Sequence, residues 1–222
     1  HAAQLSKALE IGVSGSDKSI HHLCEEIIET QVDRENELEN IFENINQEVC
    51  SILDIDSGAQ ERVREDILMR TSERTREERV TSVSNADDFD ELVLSEVKKL
   101  VHHLVLEAVA KKDDGIVPIR SGNSQPDILD LIENRFKDAY DEHAEDRLVE
   151  VDDILGAESA ADEAYPNLRS FIEDDLFAYH VDTMENTPIV WKLSTARLLA
   201  DAKGEGFACF VDYHGIDASL FD

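Results

Sequence analysis

No stretch of this chain approaches the roughly 18 consecutive apolar residues that a membrane-spanning helix needs, so no span is expected. Its start has no basic segment followed by an apolar run, so nothing reads as a secretory signal. It begins at His1 and not at Met, as expected of a processed chain or a piece of a longer one. Cysteine is scarce. Cys24, Cys50 and Cys209 are odd in number and widely spaced, and no C-x-x-C occurs. Reduced, mostly buried thiols in a cytoplasmic protein fit that pattern.

Motifs that carry chemistry are also missing. No Pro-Pro occurs, which excludes the Asn/Asp-Pro-Pro-aromatic loop that holds a flipped base for methylation. No glycine-rich cofactor loop follows a strand; Gly204-Glu-Gly206 is too short and precedes one. The phosphate loop G-x-x-x-x-G-K-[ST] and the nucleophile elbow G-x-S-x-G are absent, and no convincing Pro-Asp…Glu-x-Lys nuclease pattern is present. No catalytic or cofactor-binding residue is therefore expected in the chain.

Basic residues are few, 21 Lys+Arg against 51 Asp+Glu, for a net charge of -30. A disordered acidic tail is a poor account, because 41% of the residues are hydrophobic and they recur at helical spacing. A surface that attracts cations or basic partners is a second reading. The acids run through every segment, which favours a third: a halophilic protein whose acidic surface stays hydrated at high salt. At 1 M salt the Debye length is about 3 Å, so this charge would not bar a polyanion such as DNA.

What the chain does have is amphipathic helix. Residues 1–10 read as a helix end, broken at Gly12 and Ser14-Gly15-Ser16. Ser16 or Asp17 can then cap a long helix whose apolar positions run from Ile20 to Leu53 in a near-heptad rhythm. Gln31 to Asn36 interrupts the rhythm, as a polar layer in one helix or a break between two. Residues 59–80 form a charged helical segment with the arginines Arg62, Arg64, Arg70, Arg74, Arg76 and Arg79. Arginine matches phosphate geometry, so Arg62, Arg64, Arg70 and Arg74, with Lys98 and Lys99 on the next helix, are the candidate DNA contacts. Acids such as Glu61, Glu65, Asp66 and Glu73 interleave at helical pair spacing, and a solvated ion-pair face is the simpler account. The next helix, about residues 86–112, carries a stripe from Phe89 to Val109 and should be the most buried.

Asp113 to Ile119 reads as an exit turn with a short extended piece. Helices are expected from Pro126 to Asp141, then to Gly156, then from Pro166 to about Val181. Thr187-Pro188 stops them. Two period-two runs follow: Ile189, Trp191 and Leu193 share one face, as do Phe207, Cys209, Val211 and Tyr213. The expected fold is mainly α: long amphipathic helices with one small C-terminal β-hairpin, residues 187–214, packed on them. Residues 1–112 are the long-helix, antiparallel coiled-coil-like region and residues 113–222 a smaller helical part. A lone hairpin is marginal, so Pro188, Trp191, Phe207, Tyr213 and His214 are expected structural anchors. His21 and Glu25 lie one helical turn apart, and His102-His103 sits in the buried helix, but neither has a second ligand set, so no metal site is expected.

The segments Pro188-Ile-Val-Trp191-Lys-Leu-Ser194 and Gly206-Phe-Ala-Cys-Phe-Val-Asp-Tyr-His214 resemble the "RPI-x-W-x-x-SS … GF-x-x-x-VY-x-HR" stretch of large adenine-specific DNA methyltransferases. These are the PglX-like enzymes of BREX phage-defence systems and related fused restriction-modification proteins. Asp113-Asp-Gly-Ile-Val-Pro-Ile119 resembles their "DDGIIPI" segment, and Glu37-Leu-Glu-Asn-Ile-Phe42 their "E-x-N-x-IF" helix. The resemblance covers residues 35 to 222 and is specific in the two later blocks. The family arginine before Pro-Ile is Thr187 here and the one after the histidine is Gly215, so no phosphate contact is carried over for them. The insert Thr195 to Glu205 is also longer than usual. The resemblance implies a non-catalytic region downstream of a methyltransferase core. S-adenosylmethionine would be the parent enzyme's cofactor, with none in this chain. The implied partners are DNA, through the parent, and other defence-system subunits, with no membrane. The alternative from the residues alone is a helical protein-interaction or scaffold module with no direct DNA role.

Overall fold

The computed structural model describes residues 18–56, 58–62, 86–120, 125–157, 163–185, 187–195 and 206–214. They are mainly helical, with a small antiparallel sheet near the C-terminal end. By internal contacts the chain forms two compact units, His22–Leu94 and a second made of His1–His21 with Ser95–Asp222. This is a different partition from the one drawn after residue 112.

Helix α1 runs unbroken from Ile20–Ile52, 33 residues. Gln31 to Asn36 holds no glycine or proline, so the polar stretch interrupts the apolar rhythm without breaking the backbone. The chain leaves α1 through Asp54, whose φ of 51° is left-handed. Asp56 then caps a short helical turn, residues 58–62, by accepting the Ala59 N–H at 2.9 Å. In the first unit Cys24, Ile28 and Val93 are buried. The expected caps Ser16 and Asp17, and the segment beyond Arg62, lie outside the described residues.

The second unit holds most of helix α2 (Ala86–Ala110), then β1 (Ile116–Pro118), α3 (Ile128–Tyr140) and α4 (Ala144–Leu155). Next come α5 (Pro166–Ser170), a π-helical turn (Phe171–Asp175), α6 (Leu176–Thr183), β2 (Val190–Ser194) and β3 (Ala208–Asp212). Its core is built from Val97, Val101, Leu104, Val105 and Val109 of α2, Ile132 and Phe136 of α3, Leu148 and Val151 of α4, and Leu168, Ile172 and Leu176 beyond. The helix expected from Pro126 starts two residues later. Asp127 is its N-cap, accepting from the Leu129 and Asp130 N–H groups, while Asp130 reaches back to the Asp127 N–H.

Two carboxylates of α4, the half-buried Glu150 and the buried Asp152, tie the second unit together. Glu150 of α4 accepts the Ile20 and His21 N–H groups at 2.9 Å each, placing a negative charge at the positive end of α1. Burial raises its pKa, but those N–H groups and Arg147, at 2.9 Å, outweigh burial and hold it below the usual carboxylate range. The α5 N-cap Tyr165 makes no side-chain cap bond. Asp152 does that work from α4, accepting Leu168 N–H at 2.8 Å and Asn167 Nδ2 at 3.0 Å. Gly156 leaves room for that Asn167: a Cβ there would lie 2.5 Å from its Oδ1.

The sheet has three strands in the order β1-β3-β2, so the expected hairpin gains a third member from the Asp113–Ile119 piece. Ile116, Val117 and Pro118 pair with Val211, Phe210 and Cys209. Pro118 has no N–H to give a ladder, and it sits on an edge strand where none is required. Gly115, at φ 63°, makes the turn into β1 and accepts the Asp212 N–H at 2.9 Å. Arg120, just past β1, binds Glu163 at 2.8 Å and forks onto Glu173 of the π-helical turn.

Candidate functional site

Residues paired across an antiparallel ladder point to the same side. Trp191 pairs with Val211 and Leu193 with Cys209, so the two faces predicted from alternation are one face of the sheet. Lys192, Phe210 and Val117 form the opposite row. Val117, Phe210 and Val190 are buried there, and the Lys192 ammonium reaches the Glu173 carbonyl of the π-helical turn. That side faces the helices.

The other side is where the expected anchors lie, and it stays largely open. Trp191 is 42% exposed, Phe207 55% and Tyr213 59%. The Trp191 ring keeps two tilted ring contacts, to Phe177 of α6 with centroids 6.2 Å apart and to Tyr213 at 6.4 Å. His214 is exposed against the Tyr213 ring, and Pro188 is half-buried. The sheet is therefore anchored by Val190, Phe210, Val117 and the central-strand residues Cys209 and Val211, and not by Phe207, Tyr213 or His214. Alternation picks out Ile189, Trp191 and Leu193 as the apolar row of β2, yet the mixed row with Val190 and Lys192 is the one that meets the helices.

Among the candidate DNA contacts, Arg62 is exposed at the end of the 58–62 turn, while Arg64, Arg70 and Arg74 lie outside the described residues. Lys98 and Lys99 are turned to internal partners. Lys99 Nζ lies 2.6 Å from the buried Glu96, and Lys98 Nζ stands 6.0 Å over the Phe171 ring. Arg62 belongs to one compact unit and Lys98 and Lys99 to the other.

A strongly perturbed titratable group is one half of a histidine pair. His102 of α2 and His180 of α6 are 6% and 3% exposed, with Nε2 of the first 2.7 Å from Nδ1 of the second. The Ile189 and Val190 N–H groups both donate to His180 Nε2 at 3.2 Å. That nitrogen therefore carries no proton, so the proton sits on Nδ1 and is donated to His102 Nε2. Burial first, then His180 and His103, push the His102 pKa down to about 4, and burial lowers His180 as well. The pair is a neutral pin joining α2, α6 and the entry to β2. His102 was legible as a buried helix residue; its partner 78 residues away carries no spacing signal.

Of the other described histidines, His22 meets Glu25 at 3.2 Å and Glu26 at 3.4 Å. Among the described residues no group of three or more His, Cys, Asp and Glu is arranged to hold a metal ion. No described helix is long and apolar enough to cross a membrane.

Among the described residues, α1 carries a second uncovered apolar stripe. Leu38, Ile41, Phe42, Ile45, Val49 and Ile52 are all exposed, Phe42 at 58% and Ile52 at 75%. In sequence these are the near-heptad apolar positions of the coiled-coil-like region, a spacing that ordinarily faces a packed partner. No family model, curated protein or solved structure matches the chain.

Proposed function

We propose that the chain is the non-catalytic helical region of an S-adenosylmethionine-dependent, adenine-specific DNA methyltransferase of a restriction-modification or phage-defence system. In this reading it lies downstream of the catalytic part and links it to, or supports, DNA recognition. One observation carries the proposal. The two most specific blocks of resemblance lie far apart in sequence, yet β1 from the first and β2 and β3 from the second pair as a single sheet. Unrelated chance likenesses have no reason to become neighbouring strands. S-adenosylmethionine belongs to the parent enzyme in this proposal, and the parent's other defence subunits are its protein partners.

Two measurements on the purified 222-residue chain test the reading. Titration of labelled duplexes at about 1 M KCl, where the charge is screened within about 3 Å, should show DNA affinity. A methyl-transfer assay should show none. Methyl transfer by this chain would defeat the non-catalytic assignment. No affinity for any duplex would favour the interaction-module alternative.

A further inference from the structure

We propose that the exposed stripe of α1 docks a basic amphipathic helix from a partner protein. Leu38, Phe42, Ile45, Val49 and Ile52 alternate at four- and three-residue spacing, the a/d rhythm of a coiled-coil seam, and Ile41 and Leu53 widen it. Their exposure runs from 45% at Val49 to 75% at Ile52. The same series runs back through Glu35 and Gln31 to Ile28 and Cys24, which are buried. The stripe is therefore the outer continuation of a seam that is already packed at its inner end.

The shape and the charge of the stripe select its occupant. From Leu38 to Ile52 the seam spans about 21 Å at 1.5 Å per residue, the length of roughly four helical turns. A narrow straight seam of that kind takes a helix. From Glu35 to Asp56 the chain has no Lys or Arg, while Glu37 and Glu48 border one side of the stripe. Acids at seam-flanking positions favour a Lys/Arg-bearing partner and repel an acidic one. A second copy would set these acids against their own kind, on a chain of net charge -30, so self-association is disfavoured. The proposal stands apart from the methyltransferase reading and does not rest on it.

The test uses the full chain and two labelled synthetic helices, identical with Leu at a and d, one bearing Lys and the other Glu at e and g. Fluorescence anisotropy at about 0.15 M KCl should show the Lys helix binding at least about tenfold tighter than the Glu helix. Phe42→Glu with Ile45→Glu should weaken that binding about tenfold or more while leaving the circular dichroism unchanged, since both sites are exposed. Glu37→Lys with Glu48→Lys should erase or reverse the preference between the peptides. Equal binding of both helices, binding of neither, or indifference to Phe42 and Ile45 would overturn the proposal. So would a dimer in sedimentation that Phe42→Glu dissolves, which would give the stripe to a second copy. Binding seen only after deletion of residues 63–85 would give it to the chain's own segment and overturn it equally.

Discussion

His180 does three jobs with one ring: it donates to His102 and accepts from the Ile189 and Val190 N–H groups. His180→Phe fills the space but leaves those groups without their partner. An unpaired buried group costs about 1–3 kcal/mol, so a loss of about 2–4 kcal/mol is expected in urea unfolding. The pair also sets a pH dependence. His102 is held down to about 4 when folded and returns to about 6.5 when unfolded, so between these values the unfolded chain binds more protons. Stability is full above about pH 6.5, falls as pH drops through the window, and loses about 3 kcal/mol from this group by about pH 4. Tyr179 and His103 are the other titratable groups facing His102. Urea midpoints at several pH values check this, with His102→Leu expected to flatten the slope between pH 6.5 and 4. Lys98 and Lys99 make a contrasting case. Their internal partners predict that Lys98→Ala with Lys99→Ala changes DNA affinity by less than about twofold, whereas free phosphate contacts would cost far more at low salt.

The elements divide into those whose periodicity is self-sufficient and those defined by a partner. α1 and α2 are legible because apolar residues recur at helical spacing over many turns, and β2 and β3 because alternation is clean. β1 is three residues ending in Pro118; only pairing with β3 makes it a strand, which no local pattern states. For the same reason the sequence could not say that α1's outer half stands open: a core stripe and a docking stripe have the same spacing. The turn into β1 carries its own prediction. Gly115 sits at φ 63°, and an added Cβ would come 3.2 Å from the Asp212 Cβ. Gly115→Ala should therefore cost about 1–2 kcal/mol, read as a lowered urea midpoint, through strain at the turn and disturbance of the β1–β3 ladder.

Across the whole molecule the dominant quantity is the net charge of -30. At low ionic strength it acts against compaction, and salt relieves it. Thermal melts should therefore move upward as KCl rises from about 0.1 M to 2 M; a flat or falling melting temperature would argue against a halophilic surface. That acidity, the helical class and the C-terminal strands were all legible from composition and pattern. The candidate sites were legible only in part, because Arg62, Lys98 and Trp191 owe their exposure and partners to packing. The central claim concerns the parent protein, and sequencing the reading frame upstream of the His1 codon tests it most directly. The account predicts an open frame encoding an Asn-Pro-Pro-aromatic motif and a glycine-rich cofactor loop. A continuous upstream frame that encodes neither would contradict it.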